Sequence, residues 1–263
     1  MAATTIDEVI SELEALLAES IKNDDRIGFF TALYYKVTCK VKEGILKNDF
    51  EDGNRMEKLD VVFANRYLEA LRQYKANVKP TGSWQVVFET SKKSGPLLLQ
   101  HLLLGMNAHI NLDLGIAAVE VTGPDNLLTI KRDFNAINAI LASLTSEVMN
   151  EINRISPMLS LLGLHANNYN SMFIQFAMDN ARDGAWCFAE ELASLDDTQR
   201  NICIAQRDDQ IKLLGSGMTK ANFFLAITIY FIHLFEWKKP SKIIKAMNEK
   251  NKTFFKIKLN PAS

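Results

Sequence analysis

Pro96-Leu97-Leu98-Leu99-Gln100-His101-Leu102-Leu103-Leu104-Gly105-Met106-Asn107-Ala108-His109-Ile110-Asn111-Leu112-Asp113-Leu114-Gly115 decides how this chain is read. Ser94-Gly95-Pro96 suits the first turn of a helix, and the apolar run after it predicts a helix from Pro96 to about Val121. A helix this apolar belongs in the interior, yet it carries two His, two Asn and an Asp. Steps of four keep side chains on one slowly drifting face. His101, Gly105, His109 and Asp113 therefore share a stripe, with Asn107 and Asn111 on the opposite side. Buried polar groups are costly unless paired, so this stripe predicts either a site or a hydrogen-bonded seam between helices.

Outward from that helix, the spacing predicts more helices and no strands. Thr5 caps a first helix over about 6–21, and Asn23-Asp24-Asp25 separates it from an aromatic-rich second helix over about 26–46. A third helix follows over about 55–75, and a short one over about 83–90 carries Trp84 and Phe88. Beyond Thr122-Gly123-Pro124-Asp125, helices are expected over about 132–155, 168–193 and 197–214, with a short helical connection at 159–165. Gly215-Ser216-Gly217 reads as a flexible turn before an apolar helix ending near Trp237, and Pro240 opens a last basic helix. The expectation is one all-α domain over 1–263, a bundle of nine or ten helices around the buried central helix. The first helix and the 248–263 tail are expected at its periphery.

Composition narrows the function classes. The 263 residues are 48% hydrophobic and carry a net charge of −1, so no general attraction to nucleic acid is expected. Lys238, Lys239, Lys242 and Lys245 form a local basic cluster near the C-terminus, which reads as a solvated helix end rather than a binding patch. Three cysteines without motif spacing predict reduced thiols, and the acidic, amphipathic N-terminus is not a signal peptide. The most apolar run, Phe223 to Phe235, is shorter than the ~20 residues a membrane span needs. A cytoplasmic protein with no transmembrane segment is expected, its oligomeric state open.

The candidate chemistry centres on His109 and Asp113, one helical turn apart. That spacing suits a pair of metal ligands, an imidazole oriented by a carboxylate, or a purely structural pair. A metal shell needs ligands from elsewhere, and Asp60 and Asp133 are the candidates because each stands among apolar residues. Asp133 also opens its helix, where an acid is favourable capping. His101, Asn107 and Asn111 complete the candidate catalytic set, although His101 lies about 12 Å from His109 along the axis, too far to share a metal with it. Arg66 and Arg182 are the expected buried cations, able to pair with these acids. His165 and His233 read as isolated structural histidines. Asp24-Asp25, Asp196-Asp197 and Asp208-Asp209 read as helix caps rather than magnesium ligands. No phosphate-cradling glycine loop, nucleophile elbow or zinc-finger spacing is present.

Several ordered segments carry a resemblance: Asp25-Arg26-Ile27-Gly28-Phe29-Phe30, Leu59-Asp60-Val61-Val62-Phe63-Ala64-Asn65-Arg66-Tyr67, Leu104 to Leu114, Asp133-Phe134 with Asn138, and Arg182 with Ala185-Trp186. Together they resemble a microbial all-helical family catalogued as a domain of unknown function. The resemblance implies a single helical domain and supplies no mechanism. More distantly, Leu104, Gly105, His109 and Asp113 are similar to the core helix of the helical zinc-dependent phospholipase C and nuclease group. That group's second histidine after the aspartate has no counterpart in Leu114-Gly115-Ile116-Ala117-Ala118, and its N-terminal tryptophan ligand is absent.

Three readings follow. The first is a hydrolase in which His109, Asp113, Asp60 or Asp133 hold a zinc, iron or manganese ion, or in which His109 acts without metal as a general base. The second is a binding protein or cyclase-like enzyme for an apolar small molecule such as a lipid or isoprenoid, its cavity lined by Phe29, Phe30, Tyr34 and Trp84. The third is a structural or interaction protein with no catalytic site.

Overall fold

A computed structural model describes residues 2–165, 178–220 and 223–249, and among them there are helices and no strands. The helices are α1 (Ile6–Asn23), α2 (Ile27–Leu46), α3 (Gly53–Lys75), α4 (Gly82–Ser91) and the central α5 (Leu98–Thr122). They continue with α6 (Lys131–Ile155), α7 (Met178–Ala193), α8 (Asp197–Met218), α9 (Phe223–Phe235) and α10 (Pro240–Asn248). Short 3₁₀ segments occupy Pro124–Ile130 and Leu159–His165.

The ends of these helices follow from side chains that satisfy their free N–H groups. The Thr5 hydroxyl accepts from the Glu8 N–H, and the Asp25 carboxylate from the Ile27 N–H. Asp52 caps α3 through the Arg55 N–H, and Asp196 caps α8 with Gln199 completing a capping box. Asp208 reaches across from α8 to the Gly82 and Ser83 N–H groups at the start of α4. The aspartate pairs thus serve as caps.

Two expectations change. The first helix is not peripheral: Val9, Leu13 and Leu17 are buried, and α1 packs on α2, α3 and α10. Gly215-Ser216-Gly217 is not a turn but the last part of α8. Packing there outweighs glycine's low helix propensity, because Gly215 lies against the Asn107 amide and the Leu104 side chain. The 250–263 part of the tail lies outside the described residues, as does the 168–177 stretch of the expected helix.

The centre of α5 is not regular α-helix. His109 to Leu114 form a wider π-helical turn between α-helical halves Leu98–Ala108 and Gly115–Thr122. This change of pitch coincides with a division of the interior. The first half of α5 packs with Phe30, Tyr67, Trp84 and Ile244 in one apolar core. The second half packs with Phe134, Ile137, Trp186 and Phe188 in another. α5 is long and apolar enough to cross a membrane, but 94% of its most apolar stretch is buried within the protein, which makes it a core helix.

Gly115, the first residue after the π turn, lets α7 approach α5. A Cβ there would stand 2.8 Å from the Ala185 carbonyl oxygen and 2.8 Å from Phe188. Backbone cannot swing aside as a side chain can, so Gly115→Ala is expected to destabilise the fold by about 1–3 kcal/mol. A chemical denaturation midpoint equal to that of the parent protein would contradict this close crossing.

Candidate functional site

The π turn brings His109 and Asp113 together where the two cores meet. Asp113 is 1% exposed and accepts three contacts. Arg66 Nε donates to Oδ1 at 2.9 Å, and Trp84 Nε1 donates to Oδ2 at 2.8 Å. His109 Nδ1 lies 3.3 Å from Oδ2. Burial pushes the Asp113 carboxyl up, but Arg66, His109 and Trp84 outweigh it and hold the group below the usual carboxylate range. An ionised Asp113 cannot donate, so the proton of a neutral imidazole sits on Nδ1 and the lone pair on Nε2. Burial keeps His109 neutral by lowering its pKa, against the partial opposition of Asp113. The ring stacks on Phe63, with centroids 3.5 Å apart, and the buried Nε2 has no hydrogen-bond partner among the described residues.

His109 forms part of the wall of a cavity of about 90 Å³ between α2, α3, α5 and α6, to which Arg182 of α7 also contributes. Most of that wall is apolar: Phe30, Tyr34, Met56, Leu59, Phe63 and Ile137 are among the residues that line it. Leu33, Val37, Ile110 and Leu141, also part of the wall, are only half-buried. Asp60 is the acid of the wall, and its Oδ2 is buried without a hydrogen-bond partner among the described residues. Burial, aided by the nearby Glu57, pushes its pKa up to about 7. Gly105 keeps Phe30 against α5, since a Cβ there would fall 2.3 Å from the Phe30 ring.

Of the remaining candidates, Arg182 also lines this cavity, and the others are placed elsewhere. Asn111 donates to the Asn107 side chain at 2.9 Å, and Asn107 donates to the Ile211 carbonyl, so both tie α5 to α8. Arg207 Nε donates to the Asn111 carbonyl inside the π turn, where the usual helical pairing is disturbed. His101 lies edge-on to Phe29, and burial with the nearby Arg26 lowers its pKa to about 4, leaving it neutral. Asp133 accepts from the Glu51 and Asp52 N–H groups and from Arg55, so it pins the start of α3 to α6. Arg182 donates to the Phe134 carbonyl, and its guanidinium lies over the Phe134 ring. His233 is partly exposed, 3.8 Å from Glu236, and the His165 side chain lies outside the described residues.

Among the described residues, no three His, Cys, Asp or Glu side chains come close enough to hold a metal ion. The four expected ligands do not form a shell: Asp133 is committed to backbone N–H groups, and Asp113 already faces the Arg66 cation. Of the aromatic residues expected around an apolar ligand, Phe30 and Tyr34 line the cavity. Phe29 packs on His101, and Trp84 stands behind, hydrogen-bonded to Asp113. Phe63 was not anticipated in the wall, although it follows Asp60 by three residues on the same helical face.

Comparison with family models matches residues 6–221 to a family of unknown function, DUF5995. The chain belongs to that family. No curated protein and no solved structure matches it. The likeness to the helical phospholipase C and nuclease group rests on Leu104, Gly105, His109 and Asp113 alone.

Proposed function

We propose that this family member binds a small, largely apolar molecule carrying one hydrogen-bonding group, in the cavity beside His109. The observation that supports this reading is the pairing of a largely apolar wall with three buried polar atoms that have no hydrogen-bond partner among the described residues: Tyr34 Oη, His109 Nε2 and Asp60 Oδ2. Orphaned buried polar atoms are costly, and a ligand hydroxyl or carbonyl would satisfy them. Nε2 accepts a hydrogen bond, and Asp60 either donates or accepts near neutral pH, so the site suits a hydroxyl that does both. A second reading rests on the dyad itself. Asp113 orients a neutral His109 and leaves Nε2 free, the arrangement by which a general base takes a proton from a bound ligand.

The test uses straight-chain alcohols from butanol to decanol as probes and thermal unfolding as the readout. A well-fitting alcohol at a hundred times its Kd is expected to stabilise the protein by about 2.7 kcal/mol, raising Tm by about 5–10 °C. Ile137→Phe, which adds volume to the wall, is expected to abolish the shift. His109→Phe keeps the ring stacked on Phe63 but removes Nε2, so it is expected to lose the preference for an alcohol over the alkane of equal length. No shift with any alcohol, or an undiminished shift in Ile137→Phe, would overturn the binding reading.

A further inference from the structure

α9 reverses the usual pattern of a packed helix. From Phe223 to Phe235 it contains no Asp, Glu, Lys or Arg. Leu225 and Ile232 face the first core, yet Phe224, Ile227, Tyr230, Phe231, Leu234 and Phe235 are 41–70% exposed. Steps of three and four place these residues on one side of the helix, so they form a stripe rather than scattered exceptions. Scattered exposed apolar residues are ordinary, whereas a contiguous stripe marks a surface that something else covers.

The charges around the stripe indicate what covers it. Lys220 precedes α9, and Lys238, Lys239, Lys242 and Lys245 follow it, all exposed. Glu236 is the one acid between residues 220 and 248, and it is buried, bonded to the Ser156 hydroxyl and the Leu98 N–H. Within residues 220–248 the exposed charge is thus entirely positive, with Asp24 of the α1–α2 connection near Lys239 and Lys245, although the chain as a whole carries −1. At the foot of α9 a pocket of about 100 Å³ is walled in part by Arg26, His233 and Lys238, with Glu236 also in its wall. Aromatic and aliphatic side chains flanked by lysines suit the boundary of an anionic bilayer, where rings enter the headgroup region and ammonium groups meet phosphates. At 13 residues α9 is too short to span a bilayer, so it would lie along the surface.

We propose that α9 and its flanking lysines dock this protein onto an anionic lipid surface. The test is co-sedimentation of the full chain with phosphatidylcholine vesicles, with and without phosphatidylglycerol. Binding is expected only with phosphatidylglycerol and is expected to weaken as salt is raised. Replacing Lys238, Lys239 and Lys242 together by Gln is expected to lower affinity about a hundredfold, at about fivefold per lysine. Phe224→Ser/Phe231→Ser/Phe235→Ser is expected to abolish binding. Because these side chains are exposed, both variants are expected to stay folded, the lysine variant with a small loss of Tm from the Lys238–His233 carbonyl and Lys242–Trp237 contacts. No sedimentation with phosphatidylglycerol vesicles, or equal binding by parent and both variants, would overturn the proposal. So would a dimer in analytical ultracentrifugation that the triple Phe variant dissociates, since a second copy would then cover the stripe.

Discussion

Replacing Asp113 with alanine is expected to destabilise the fold by about 3–5 kcal/mol, the usual cost of removing one partner from a buried ion pair. The substitution strands three donors at once: Arg66 Nε, Trp84 Nε1 and His109 Nδ1. Arg66 is partly exposed and can turn towards the neighbouring surface cleft, where water compensates it. The Trp84 indole borders the same cleft but is only 1% exposed, so water compensates it less. For a chain of this size the expected fall in Tm is roughly 6–20 °C, measured by calorimetry at neutral pH. Asp113→Asn, which keeps an acceptor oxygen but loses the charge, is expected to fall between the parent and the alanine variant. A Tm within about 2 °C of the parent for Asp113→Ala would show that this carboxylate does not anchor the dyad.

Asp60 predicts the opposite sign. Its carboxyl titrates near pH 7 in the folded protein, against about 3.9 in an unfolded chain. Between these values the folded state holds a proton that the unfolded state has released, so stability falls as pH rises. At about 1.4 kcal/mol per pKa unit, the loss between pH 4 and pH 7 reaches about 4 kcal/mol and is constant above that. Asn mimics the protonated acid, so Asp60→Asn is expected to match the parent near pH 4 and to exceed it by about 4 kcal/mol at pH 8. Urea unfolding of both proteins across this range reads the difference directly, and two parallel stability curves would contradict the argument. Retaining a destabilising buried acid in the cavity wall agrees with a role in binding rather than in folding.

Local signals explain why much of the architecture was readable. Thr5, Asp52 and Asp196 cap helices through side-chain oxygens a few residues from the N–H groups they serve, and such signals are written in short stretches of sequence. His109 and Asp113 also belong to one short stretch, and so does their contact. Asp133 was ambiguous because its decisive partners, Glu51, Asp52 and Arg55, are some 80 residues away. Gly215 was misread for the same reason: its neighbours Leu104 and Asn107 lie on another helix, and only tertiary packing keeps that glycine helical. Nothing in the apolar run of α5 announced a π turn. Its support includes Arg207, which reaches the Asn111 carbonyl from α8.

The π turn has a mechanical consequence. Each half of α5 is held in its own apolar core, and α1, α2, α3 and α6 also run from one core to the other, so the two are tied by several beams. The cavity lies between them: Phe30 and Tyr34 come from one side, and Leu59 and Ile137 from the other. A ligand bound as proposed would touch both cores at once. Its effect would then reach both, and amide exchange along the two halves of α5 would register it.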